Sequence, residues 1–91
     1  MVGRLSALTA DRLSSALQGH VIEIADHRWH VHVLWISTAW TGRQAHVALL
    51  GRPSYSVFLS MAMEAEAEHA IDALERWLHR PNRKDGETIE V

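Results

Sequence analysis

Histidine and tryptophan are the side chains of this sequence with the most chemistry to offer, and they cluster. The stretch HRWHVHVLWISTAW, residues 27–40, sets His27, His30 and His32 among Trp29, Trp35 and Trp40. Imidazole ligates metals, moves protons and is the side chain whose charge changes most readily near neutral pH. At a period of two, His30 and His32 share one face of a strand, and His46 joins them from the next apolar run. Glu23, His32 and His46 then form a candidate two-histidine, one-carboxylate metal set. No HExxH segment anchors such a site, and the absence of cysteine excludes thiolate ligands and thiol nucleophiles. Ordinary cross-strand and interface hydrogen bonds are the competing role for these rings. Ser60, His46 and Glu23 also draw a nucleophile, base and acid on one face. There is no GxSxG elbow and no glycine-rich phosphate loop beside them, so no catalytic residue and no cofactor are assigned.

The elements that must hold these side chains follow from periodicity. LTADRLSSALQG reads as a short opening helix, with Thr9 as N-cap, Asp11 in the first turn, Gly19 as the stop and Leu8 with Leu13 as a hydrophobic staple. From His20 the period becomes two through HVIEIAD, RWHVHVLWIS, RQAHVALLG and SYSVFLSMAM. These are expected to be four strands of an antiparallel meander. A turn at His27 and Arg28 would set Ile24 against Val31 and Ile22 against Val33. A loop around residues 38–43 would set Val33 near Val47 and Trp35 near Ala45, and a turn at Arg52 to Ser54 would align Val47 with Leu59 and Leu49 with Val57. EAEAEHAIDALERWLHRP is the second helix: Ala67, Ala70, Ile71, Leu74, Trp77 and Leu78 recur at helical spacing, and Pro81 ends it. Glu64, Glu66 and Glu68 fall where the helix dipole favours carboxylates, which explains them without acid–base work.

The expected architecture is therefore a single α+β domain over residues 1–81, helix, four-stranded meander, helix, with both helices on one sheet face. Residues 82–91 are a polar tail, or a short edge strand at 88–91. The covered face would hold Ile22, Ile24, Val31, Val33, Trp35, Val47, Leu49, Val57, Leu59 and Met61, with Trp29, Trp35 and Trp77 packed together. The other face would carry Leu34, Ile36, Leu50 and Phe58 among His30, His32 and His46. A solvent-facing antiparallel face normally alternates charged and polar residues, so an apolar one marks a contact surface. Trp40, in the turn TAWTGR, has no internal destination and is a candidate anchor for a partner.

Composition narrows what that contact is. Ninety-one residues make one small domain, a size at which burial is modest and association helps stability. The formal charge of −2 gives no general attraction to phosphate, although charging seven histidines would move it to +5. The order helix, strands, helix resembles that of the double-stranded-RNA-binding domain. The chain departs from it in having four strands and an acidic MEAEAEH at the head of the last helix, which disfavours nucleic acid. No run is long and apolar enough for a spanning helix, and no leader of the secretory type opens the chain, so a cytoplasmic location is expected. The expected function is a small soluble binding or regulatory module that forms a homodimer through the open sheet face and can hold a small molecule or protein there. A histidine-based metal-dependent enzyme or sensor, and a nucleic-acid-binding module, are the alternatives.

Overall fold

The computed structural model describes residues 11–91. A helix, α1, occupies residues 11–17; β1 (Val21–Ile24), β2 (His27–Ala39), β3 (Gly42–Leu50) and β4 (Tyr55–Met61) follow, then α2 (Ala67–His79) and β5 (Thr88–Glu90). The class is α+β, but the sheet has five strands in the order β1-β2-β3-β4-β5. The first three pairings are antiparallel, while β5 runs parallel to β4. That last pairing corrects the four-stranded meander: a parallel neighbour needs a crossover, and α2 supplies it. Thr9 and Leu8, the expected cap and staple of α1, lie outside the described residues.

The core gathers on one side of the sheet. Leu13 and Leu17 of α1 and Ala70, Ala73, Leu74, Trp77 and Leu78 of α2 join Ile22, Val31, Val47, Leu49, Val57, Leu59 and Met61 in a single buried cluster. Gly19, in the left-handed region at φ 79°, turns the chain from α1 into the sheet. At the head of α2, His69 Nδ1 accepts the Glu66 N–H at 2.9 Å, and past its end the Arg83 guanidinium donates to the carbonyls of Leu78 and Arg80 at 2.6 and 2.7 Å. Those contacts satisfy backbone groups that a helix end leaves without partners.

Three expected registers change. The β1–β2 turn falls at Ala25 and Asp26, not at His27 and Arg28, with Ala25 at φ 55°. The tighter turn starts β2 sooner and sets Ile22 opposite Trp29 and Ile24 opposite His27. Between β3 and β4, Val47 lies opposite Val57 and Leu49 opposite Tyr55. Both are slips by an even number of residues, so they leave every side chain on its expected face. The third change is a bulge. β2 meets β3 at Val33 opposite Val47 and then at Trp35 opposite His46, leaving Leu34 unmatched. One extra residue reverses the alternation beyond it. Trp35 is thereby carried out of the expected core to the open face, and Ile36 turns in to pack against the core.

Trp29 and Trp77 remain buried. The Trp29 indole donates to the Pro53 carbonyl at 2.8 Å, and Gly51 makes room for it: a Cβ there would come within 2.6 Å of Trp29 Cδ1 and of the Arg28 carbonyl oxygen. Trp77 packs edge-on against Tyr55 with ring centroids 5.1 Å apart, and its indole N–H donates to Glu87. β5 is thus held on both sides, by the β4 ladder and by a helix side chain.

Candidate functional site

The open face of the sheet is built as cross-strand rows. Val21, His30 and Leu50 form the first, His32, Ala48 and Ser56 the second. Trp35, His46, Phe58 and Thr88 form the third, and Ser37, Gln44, Ser60 and Glu90 the fourth. The third row is an aromatic ridge. His46 stacks on Phe58 with centroids 4.4 Å apart and an interplanar angle of 14°, and Trp35 closes on both rings at 6.0 and 6.3 Å. The second row, with Ala48 and Ser56, is low beside it.

Much of this surface is apolar and open to solvent. Leu34, Trp35 and Leu50 are 47%, 43% and 48% exposed, and Trp40 at the β2–β3 turn is 92% exposed. Charge on this face lies at its ends, in the Glu23–Arg28 pair beyond the first row and in Glu90 of the fourth, while the first and third rows hold no carboxylate or ammonium group. Of the residues that the sequence marks for contact, Leu34, Leu50, Phe58, His30, His32 and His46 lie on this face, Trp40 projects from its end, and Ile36 belongs to the core side. Trp35 is the residue of this face that sequence reasoning misses. A bulge leaves no sign in a pattern of alternating residue types, because Val33, Leu34, Trp35 and Ile36 are all apolar.

The metal set does not assemble. Glu23 pairs with Arg28, whose guanidinium donates to it at 2.8 Å, and β1 stands beside the part of β2 that precedes His32. His32 Nδ1 instead meets the Gln18 amide Nε2 at 2.9 Å, and His46 is stacked on Phe58 with Trp35 edge-on to it. Among the described residues no three His, Asp or Glu side chains come together in a way that could hold an ion. The Ser60, His46 and Glu23 trio is likewise open, since Glu23 is engaged with Arg28 on the edge strand β1, two strands from His46 and three from Ser60. Clefts along α2 and at the Arg80 to Glu87 turn are lined by neither Glu23, His32 nor His46.

One carboxylate is perturbed. The indole N–H of Trp77, and after it the Arg80 guanidinium, hold Glu87 below the ordinary carboxylate range. Its partners fasten β5 to α2, so the perturbation belongs to structure and not to the open face.

No helix among the described residues is long and apolar enough to cross a membrane. The chain matches no protein-family model, no curated protein and no solved structure.

Proposed function

We propose that this chain is a small soluble binding module that associates with a second copy through the open face of its sheet. The observation that carries the proposal is the aromatic ridge of Trp35, His46 and Phe58, set by the bulge on a face that neither helix covers among the described residues. Sheets that pack face to face interdigitate their side chains about 10 Å apart. A ridge of rings beside a low row of Ala48 and Ser56 is suited to a two-fold contact in which each ridge fills the other copy's low row. The buried rings would be the energetic centre of that interface.

The test is light scattering after size exclusion on Phe58→Glu and Leu50→Glu, both of which place a carboxylate in the proposed contact. Each is expected to halve the mass seen for the unaltered chain at pH 7.5; an unchanged mass would sink the proposal.

A further inference from the structure

The outer edge of β2 is guarded along one part of its length and bare along the other. β1 pairs with His27 to His30, and the main chain continues the ladder, with Val31 N–H donating to the His20 carbonyl at 2.8 Å. Where β1 can reach no further, the Gln18 side chain takes over: its Oε1 accepts the Val33 N–H at 2.9 Å. Past that point, residues 34–39 have no strand on their outer side among the described residues. The other edge of the sheet is treated differently, since β5 is only three residues long and includes Glu90. Short strands and charges are the usual protections of an edge, whereas residues 34–39 read LWISTA and carry no charge.

The backbone directions there can be worked out. Val31 and Val33 send their N–H groups to the outer side. The bulge at Leu34 shifts the alternation, and Trp35, Ser37 and Ala39 match His46, Gln44 and Gly42 of β3. In β3, Val47 matches Val33, so its neighbour His46 faces β2 and Trp35 faces β3 in return. Ile36 and Thr38 therefore present their N–H and C=O groups outward, with nothing in the sheet to receive them.

We infer that this edge pairs with the same edge of a second copy, antiparallel, with the two-fold axis at Ser37. In that register Ile36 lies opposite the partner's Thr38 and Thr38 opposite the partner's Ile36, and each pair exchanges both main-chain bonds. No other two-fold register uses both outward residues so fully. A second copy suits the edge because the segment is uncharged and meets no like charge on itself, and because Leu34 then faces the partner's Trp40. Trp40, 92% exposed in the single chain, brings an open indole to that pair. Gln18 sets one end of the paired segment and the β2–β3 turn sets the other.

This contact is separate from the face-to-face one, and its axis runs perpendicular to the sheet where the other lies parallel to it. With both, the assembly is a tetramer of two extended sheets. Thr38→Pro is the decisive variant, because that N–H serves no bond within the sheet and its loss leaves the β2–β3 ladder intact. Light scattering is expected to show Thr38→Pro, and Thr38→Lys as a second variant, at half the mass of the unaltered chain, with Phe58→Glu also at half and the double variant Phe58→Glu/Thr38→Pro as a monomer. Amide exchange at Ile36 and Thr38 is expected to slow at least tenfold as protein concentration rises through assembly. A Thr38→Pro chain of unaltered mass overturns the inference, as does a monomeric Phe58→Glu, which would leave the face contact standing alone. Protection at Ile36 that is independent of concentration also overturns it, since the chain itself would then cover the edge.

Discussion

Glu87 shows how one side chain can tie a strand to a helix. Its carboxylate accepts the indole N–H of buried Trp77 and meets Arg80 Nη2 at 3.4 Å, while its carbonyl accepts the Phe58 N–H at 2.9 Å. Both side-chain partners favour the ionised form, so the folded chain holds this group below the value it has when unfolded. Stability from it is fully present above the ordinary carboxylate range and is lost as pH falls through the depressed folded value. Glu87→Gln is expected to lower the melting temperature at pH 7 and to remove part of the fall in stability between pH 5 and pH 3. A variant whose acid profile overlays that of the unaltered chain would refute this role. Nothing in the sequence announces it: NRKDGETIEV looks polar throughout, and only the crossover that brings β5 beside β4 turns Glu87 toward Trp77. Arg83 is similar, reaching back to Tyr55 Oη at 3.0 Å from a segment that reads as a tail.

At the level of elements, patterns of period two and 3.6 located β1 to β4 and both helices, because one buried face writes itself into residue type. Register is less visible. The residue pattern places the β1–β2 turn at His27 and Arg28, and the chain turns instead at Ala25 and Asp26, where no glycine or asparagine signals it. Ala25 at φ 55° has a Cβ where glycine would be easier, at a strain of about 1–2 kcal/mol offset in part by the entropy glycine loses on folding. Ala25→Gly is accordingly expected to raise the melting temperature by a few degrees, as about 0.5 kcal/mol does in a domain of this size. A lower melting temperature would mean that the turn depends on that methyl group. The faces survived these register errors because even-numbered slips conserve them, whereas the single unmatched residue at Leu34 exchanged Trp35 and Ile36.

For the molecule as a whole, the proposed association would make folding and assembly parts of one equilibrium, since the core is small and one face is apolar and open. The extents of 45 × 21 × 18 Å describe an elongated body, not a sphere, and leave a high proportion of surface. A partner that binds only the folded form stabilises it by mass action, so the melting temperature is expected to climb with protein concentration and to lose that dependence in Phe58→Glu/Thr38→Pro. A concentration-independent transition in the unaltered chain would place its full stability within the single copy. The α+β class and most residues of the covered and open faces are legible in the sequence, while the fifth strand is left open there and the aromatic ridge is not visible, because one rests on a crossover and the other on a bulge. That bulge also governs how the gene can change. Losing one codon inside a strand normally turns every later side chain to the wrong side of the sheet. Loss of the Leu34 codon would do the opposite: Val33 would run straight into Trp35, the pairings with Val47, His46 and Ala45 would stand, and the strand would become regular. The position is one where a descendant sequence can shorten by a residue and keep its inside and outside unchanged.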